Sequence, residues 1–130
     1  MNKAVEFVKD CGIFYIATCD LGKPRVRPFG AITEFEGKVY ITTGSPKHVF
    51  RQMIEHPFIE IAATAKDGSW IRITSGVKRS QDKAAKEAVI SEYPEIKSIY
   101  EGRQDEYSVF QLIDAKAILH SAAGDETIVM

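Results

Sequence analysis

Residues 24–30 of this 130-residue chain read Pro24-Arg25-Val26-Arg27-Pro28-Phe29-Gly30. The two prolines place this predicted strand at a sheet edge or a barrel rim, because proline cannot donate a hydrogen bond to a neighbouring strand. Side chains two residues apart in a strand point to the same face, so Arg25 and Arg27 project together, about 6–7 Å apart. Two adjacent guanidinium groups suit an anionic ligand. The alternative is a solvated edge strand whose arginines keep it soluble.

The segments around residues 24–30 are predicted to be strands as well. Residues 13–19 form an apolar run that is rich in β-formers and predicts a buried strand, and residues 20–24 supply turn chemistry after it. Strands over residues 25–32 and 38–43 follow, with the turn Glu36-Gly37 between them. Three such strands in succession predict a β-meander.

Beyond the meander, the sequence predicts further strands and several short helices. Strands are predicted over residues 58–65, 70–78 and 108–119, with a short edge strand over residues 126–129. Helices are predicted over residues 4–11, from the cap Ser45-Pro46 to His56, from Ser80 to the residue before Pro94, and over residues 96–100. The strands mostly follow one another. This order predicts a mainly β, α+β fold, an antiparallel six-stranded barrel with helices at its ends.

A second segment that favours an anionic ligand, Thr42-Thr43-Gly44-Ser45-Pro46-Lys47, joins a strand to a helix. Free N–H groups and the helix dipole make a helix N-terminus an anion site. Lys47 is predicted in the first helical turn, where a cation is unfavourable unless an anion such as phosphate lies nearby. The alternative is a routine Ser-Pro cap with an exposed lysine. If the strands of the two segments are adjacent, they form a groove for an elongated ligand with a phosphate at one end and a polar ring at the other.

Length and composition exclude several classes of protein. The chain length predicts one domain, residues 1–130. Seventeen Lys and Arg against 18 Asp and Glu give a net charge of -1, which argues against a general nucleic-acid binder. Because the N-terminus lacks the apolar run of a signal peptide and no segment approaches a membrane span, we expect a cytoplasmic protein that binds no membrane. The only cysteines, Cys11 and Cys19, are expected to be reduced.

Other catalytic chemistries lack their motifs. His48, His56 and His120 stand apart, without a pair at ligand spacing, so we expect no metal site. No GxSxG elbow is present for a nucleophilic serine. No catalytic residue is assigned from the sequence.

The order of these segments resembles the pyridoxamine 5'-phosphate oxidase-like family of FMN-binding split β-barrels. The similarity runs over nearly the whole chain, with the family's order and spacing, and it lies in Phe14-Tyr15-Ile16-Ala17-Thr18, Pro24-Arg25-Val26-Arg27-Pro28, Glu36-Gly37-Lys38-Val39-Tyr40-Ile41-Thr42-Thr43, residues 47–57 and Trp70-Ile71-Arg72. The chain is more similar to the short general-stress and nitroreductase-like members than to the true oxidases. It has no C-terminal Arg-x-His segment, so the resemblance does not imply oxidation of vitamin B6.

The resemblance implies FMN as the cofactor and a set of residues that bind it. Thr43, Ser45 and Lys47 would hold the phosphate together with an arginine of the strand at residues 25–28. The main chain of Val26, Arg27 and Pro28 would run along the flavin ring, which Thr42 would also approach. Of the two arginines, we expect Arg25 at the phosphate and Arg27 at the ring. The complete expected cofactor site is Arg25, Val26, Arg27, Pro28, Thr42, Thr43, Ser45, Lys47 and Trp70.

The resemblance also implies a homodimer with FMN at its interface, where Trp70 would reach the partner's flavin or pack in the interface or the core. Ile71 and Ile73 are predicted on one face of their strand, and Trp70 and Arg72 on the other. The implied function is an FMN-dependent oxidoreductase that passes hydride or electrons between NAD(P)H and a small acceptor. The alternatives are a flavin-binding or sensing module without turnover, or a relative that binds a deazaflavin or haem.

Overall fold

A computed structural model describes residues 1–130. Eight antiparallel strands form one sheet, and four α-helices pack around it. In chain order the elements are α1 (Lys3–Cys11), β1 (Phe14–Asp20), β2 (Lys23–Phe29), β3 (Ile32–Phe35), β4 (Lys38–Gly44), α2 (His48–Glu55), β5 (Phe58–Thr64), β6 (Trp70–Ser80), α3 (Lys83–Glu92), α4 (Glu95–Ile99), β7 (Tyr107–Ser121) and β8 (Gly124–Ile128), with a 3-10 turn at Gln104–Glu106. None of the helices has the length and apolar character that crossing a membrane requires.

The strand order shows how the sheet curls into a barrel that does not close. Along the sheet the strands follow the order β2-β1-β5-β6-β7-β4-β3, and β8 pairs with β7 alone. β2 and β3 lie at opposite ends of this order, although only Gly30 and Ala31 separate them in the chain. The two ends of the sheet must therefore meet, yet no ladder joins them. The predicted mainly β, α+β antiparallel split barrel is confirmed.

The number of strands differs from the six that were predicted. The predicted strand over residues 25–32 breaks at Gly30 and Ala31, because β2 pairs with β1 whereas β3 pairs with β4 on the far side of the barrel. At the C-terminus, β8 pairs with β7 from Ala117 to Ser121 and forms a full hairpin strand. Because of the break at Gly30 and Ala31, one continuous segment of the chain supplies β2 and β3, the two edge strands of the open sheet.

Two predicted helix starts are also wrong. The N-cap of α2 is Lys47 and not Ser45, and Ser45 and Pro46 form a turn in which the Lys47 N–H donates to the Gly44 carbonyl over 3.0 Å. Likewise, Ser80 ends β6, and Asp82 caps α3 by accepting from the Ala84 N–H over 2.9 Å. In both cases a hydroxyl residue that favours a helix start lies before the helix and does not cap it.

Buried and exposed side chains alternate along the strands, and the buried ones form the core. Ile71 and Ile73 of β6 are completely buried, whereas Trp70 is half-buried and Arg72 exposed, so the two pairs lie on opposite faces of the strand as predicted. Phe14 and Ile16 of β1 point inward in the same way, and α1 covers one end of the barrel with its apolar face. α2 packs against β1, β4 and β6. This packing places the N-terminus of α2 beside the open seam of the sheet.

Candidate functional site

A groove lies at the split of the barrel, between β2, the end of β4 and the start of α2. It consists of two cavities of about 340 Å³ and 630 Å³ that share Arg27, Lys47 and Val49. The smaller cavity is also lined by Pro28, Phe29, Gly30, Ala31, Thr42, Thr43, Glu95, Ile96, Ile99 and Tyr100. The larger is also lined by Asp20, Arg25, Val26, His48 and Gln52. We call the two together the seam groove.

The seam groove brings the two predicted segments together, but not as neighbouring strands. β2 pairs only with β1, and β4 pairs with β3 and β7. The expectation that the two strands are adjacent is therefore wrong. β2 and β4 face one another across the open seam, where no backbone hydrogen bonds join them.

Arg27 is anchored by three acceptors, none of which is a carboxylate. Its Nη1 donates to the Ile16 carbonyl over 3.1 Å and to Thr18 Oγ1 over 2.8 Å, and its Nη2 donates to Gln52 Oε1 over 2.7 Å. Thr18 Oγ1 in turn donates to the same Gln52 oxygen over 2.5 Å. Burial lowers the pKa of Arg27. The guanidinium nevertheless stays charged, since its ordinary pKa is far above neutrality.

Arg25 has different partners, although it lies two residues from Arg27 on the same strand. Its Nε lies 3.7 Å from a carboxylate oxygen of Asp20, and the side chain is about half exposed. Asp20 also accepts from Arg51 of α2 over 3.1 Å, and this hydrogen bond holds the pKa of the Asp20 carboxyl below its usual value. The charge of Arg25 is thus partly compensated, whereas that of Arg27 is not.

Lys47 supplies a second cation without a carboxylate partner. Its side chain is exposed, lines both cavities, and makes no ion pair or hydrogen bond within the chain. Lys47 is the N-cap of α2, and its side chain makes no capping hydrogen bond. The first N–H groups of this eight-residue helix can therefore donate to a ligand. A helix N-terminus flanked by Lys47 and Arg27 favours an anion.

The structure brings together seven of the nine residues predicted from the sequence. Those that line the seam groove are Arg25, Val26, Arg27, Pro28, Thr42, Thr43 and Lys47. The Thr42 hydroxyl donates to the Ser108 carbonyl over 2.9 Å and so holds β4 to β7. Ser45 does not line the groove; its N–H donates to the Glu106 carbonyl over 2.9 Å.

Trp70 lies outside the seam groove, on the outer face of the barrel. Its ring stacks on His120 with centroids 4.3 Å apart and an angle of 22° between the planes. The Arg72 guanidinium lies 5.0 Å from the centroid of the Trp70 ring. Within one chain, Trp70 therefore has no contact with the groove.

Two residues of the groove, Gln52 and Tyr100, were not predicted from the sequence. The signal for Gln52 was a polar residue on the buried side of a helix, beside Val49 and Met53, where the side chain is only 3% exposed. Tyr100 lines the smaller cavity from the end of α4. Its neighbour is Gly44, where a Cβ would lie 2.8 Å from the Tyr100 hydroxyl oxygen.

Comparisons with known proteins assign the fold to a family. The family model for pyridoxamine 5'-phosphate oxidase matches residues 1–120. A NimC/NimA family protein from Clostridium acetobutylicum is 38% identical, with a TM-score of 0.93 over 98% of this chain and 90% of that chain. None of the curated proteins compared with the chain matches it.

Two more distant structures share the fold alone. A FAD-binding protein from Mesorhizobium loti is 14% identical, with a TM-score of 0.64 over 92% of this chain and 96% of that chain. A haem-binding protein from Mycobacterium smegmatis is also 14% identical, with a TM-score of 0.70 over 98% of this chain and 58% of that chain. The match over residues 1–120 and the similarity to the NimC/NimA family protein decide the assignment: this chain belongs to the pyridoxamine 5'-phosphate oxidase family.

Proposed function

We propose that the seam groove binds FMN and that the protein is an FMN-dependent oxidoreductase, which passes hydride or electrons between NAD(P)H and a small acceptor. The observation that carries the proposal is the convergence of two cations without carboxylate partners, Arg27 and Lys47, on one groove at a helix N-terminus. A phosphate-bearing ligand would supply the negative charge that the chain does not.

The chemistry of the seam groove fits both ends of FMN. The larger cavity is cationic, because Arg25, Arg27 and Lys47 line it and its one carboxylate, Asp20, is held by arginines. The smaller cavity offers apolar and aromatic surface from Phe29, Ile96, Ile99 and Tyr100. We assign the phosphate to the cationic end and the ring to the apolar end.

The chain's own residues would bind, orient and tune the cofactor. Bound FMN would supply the ability to accept and deliver hydride or single electrons. Lys47 and the first N–H groups of α2 would hold the phosphate. The main chain of Val26, Arg27 and Pro28 would face the ring, and the Arg27 charge would favour negative charge on it. Hydride transfer requires no general base, so none is assigned.

We also propose a homodimer that forms through the outer face of the barrel. The strand register aligns Pro28, Tyr15, Ala62, Arg72 and Ile118 across five neighbouring strands of this face. The exposed fractions of the Tyr15 and Ile118 side chains are 50% and 38%, which leaves apolar surface in water. Trp and Arg are enriched in protein interfaces, and here the Arg72 guanidinium lies over the Trp70 ring. Such a dimer would bring Trp70 to the partner subunit.

The proposed function is tested by reconstitution and reduction under anaerobic conditions. Apoprotein is titrated with FMN, and the holoprotein is then mixed with NADH or NADPH while the flavin absorbance is followed. Loss of the flavin absorbance, and its return when a quinone or nitroaromatic acceptor is added, would support the oxidoreductase. FMN binding without reduction by either nicotinamide would contradict turnover and favour a module that stores or senses flavin. A haem or deazaflavin spectrum in the purified protein would contradict FMN.

A further inference from the structure

Gln52, which accepts a hydrogen bond from Arg27, lies on the otherwise apolar, buried side of α2. Gln52 is 3% exposed and lies beside Met53, which is 1% exposed and belongs to the core. Its partner Thr18, on β1, is 5% exposed. Burying an amide and a hydroxyl is unfavourable unless both are hydrogen-bonded, and here each satisfies the other and Arg27. A polar pair inside the fold is therefore within hydrogen-bond distance of the guanidinium.

The orientation of the Gln52 amide follows from its donors. An arginine can only donate hydrogen bonds, so the amide atom 2.7 Å from Arg27 Nη2 is the carbonyl oxygen Oε1. The same oxygen accepts from Thr18, so the two buried side chains fix the guanidinium from two directions. The remaining N–H donors of Arg27 are available to a ligand in the seam groove, because Arg27 lines both cavities.

A glutamate at position 52 would have almost the same shape and would make the stronger, charged hydrogen bond to Arg27. The amide instead leaves the cation of Arg27 uncompensated. The other charges around the larger cavity do not neutralise it: Asp20 is paired with Arg25 and Arg51, and Lys47 is itself a cation. Glu95 lines only the smaller cavity, from the first turn of α4.

We infer that Gln52 and Thr18 are positioning residues, which fix the Arg27 guanidinium without neutralising it, so that its charge serves an anionic group of the bound ligand. The inference rests on the proposed function for the identity of the ligand. Two groups of FMN have this chemistry: the phosphate and the negatively charged end of the reduced ring. A positioning role for an uncharged side chain makes a specific prediction, because a charge at residue 52 would impair binding while the hydrogen bonds remain.

The test compares Gln52→Glu with wild type and with Gln81→Glu, which adds the same charge at an exposed position that lines neither cavity of the seam groove. Each protein is titrated with FMN and with riboflavin, which lacks the phosphate, and the potential of the bound flavin is measured. Gln52→Glu should weaken FMN relative to riboflavin by about 10- to 100-fold, the range for a lost charged hydrogen bond, if the phosphate is the anion. If the ring is the anion, the flavin potential should fall instead while the ratio of affinities stays constant. Equal weakening of both ligands with an unchanged potential, or no change in any of these measurements, would overturn the inference.

Two further measurements keep the test decisive. Unfolding in urea, with and without inorganic phosphate, probes the Arg27 cation without flavin: phosphate should stabilise wild type and Gln81→Glu but not Gln52→Glu. If no flavin binds to wild type, the proposed function fails while this comparison still decides the inference, and equal stabilisation of all three proteins overturns it. If Gln52→Glu does not fold, Gln52→Met decides, because it frees the guanidinium. It should lower the preference for FMN over riboflavin at least about 3-fold if the phosphate is the anion, and change the flavin potential if the ring is the anion. An unchanged preference together with an unchanged flavin potential in Gln52→Met would overturn the inference.

Discussion

A Cβ atom at Gly44 would lie 2.8 Å from the hydroxyl oxygen of Tyr100 and 3.2 Å from its Cε1. Gly44 ends β4 at the seam groove, and Tyr100 lines the groove with only 9% of its side chain exposed. The close approach of these two residues requires glycine at position 44, because any side chain there would push the tyrosine ring away from the strand.

We expect Gly44→Ala to lower the free energy of unfolding by about 1–3 kcal/mol, the usual cost of overpacking. Urea unfolding measures it. Gly30→Ala is a matched control, because a Cβ there would meet only the Ile13 Cδ1 at 3.8 Å. Adding Tyr100→Phe to Gly44→Ala should restore part of the loss, since it removes the nearest atom. Equal effects of Gly44→Ala and Gly30→Ala would contradict the steric explanation.

Lys47→Ala should weaken FMN binding by about 1.5–3 kcal/mol, as expected for the loss of a charged hydrogen bond. Its effect on riboflavin should be much smaller, because riboflavin has no phosphate. Titration of apoprotein with each flavin measures the difference. Lys23→Ala, at the exposed start of β2 and outside the seam groove, serves as the control. Equal weakening of both flavins by Lys47→Ala would mean that Lys47 does not bind the phosphate.

The two arginines of β2 should have separable roles. Arg25→Ala should lower the affinity for FMN far more than that for riboflavin, although its pairing with Asp20 reduces the size of the effect. Arg27→Ala should lower the flavin reduction potential, because the reduced, anionic flavin loses a nearby cation. For a two-electron couple, about 1.4 kcal/mol corresponds to roughly 30 mV. An unchanged potential in Arg27→Ala, measured by potentiometric titration, would contradict the assignment of Arg27 to the ring.

The proposed dimer predicts a particle of twice the 14.5 kDa chain mass in sedimentation. Ala62→Arg places a charge at the centre of the outer face, next to Arg72 in the strand register, and should shift the protein towards monomer. Ala84→Arg makes the same change at an exposed position on α3 and should leave the mass unchanged. A wild-type monomer that binds FMN with full affinity would contradict a cofactor site shared between subunits.

Alkaline pH should destabilise the protein through its buried tyrosines. Burial raises the pKa of Tyr40, Tyr100 and Tyr107. Because the folded state favours the neutral phenol, the stability that these groups contribute is complete below the unfolded pKa of about 10 and is lost as the pH rises above it. Urea unfolding between about pH 8 and 11 measures the loss. Tyr107→Phe should reduce this loss, whereas Tyr15→Phe, at an exposed position, should not. An alkaline loss that is the same in wild type and Tyr107→Phe would contradict this account.

Local chemistry explains why much of the fold was predictable. Alternation in residues 70–78 correctly placed Ile71 and Ile73 together on one face, because the period of a strand is fixed by its geometry. Ser45 and Ser80, by contrast, have the residue type of a helix cap but lie before the helix, since tertiary contacts decide which residue takes the cap conformation. A capping preference is only a local tendency, and the contacts of α2 and α3 outweigh it.

The charged residues of the candidate site could be predicted from the sequence, whereas the residues that hold them in position could not. Arg27 and Lys47 have the right chemistry and spacing, so the sequence alone indicates an anion site. Gln52 lies 25 positions from Arg27 and 34 from Thr18, and only the packing of α2 on β1 brings the three together. The seam between β2 and β4 could not be foreseen either, because long-range pairing decides that β2 joins β1 and that β3 joins β4.

The most direct test of the central claim is the cofactor content of the purified protein, determined from its absorbance spectrum and from the flavin released on denaturation. The seam groove with its two uncompensated cations predicts the two-band spectrum of oxidised flavin, or, for protein purified without cofactor, stoichiometric uptake of one FMN per chain. The released flavin should carry its phosphate. A protein that takes up neither FMN nor riboflavin, or that shows the single intense band of haem, would contradict the account.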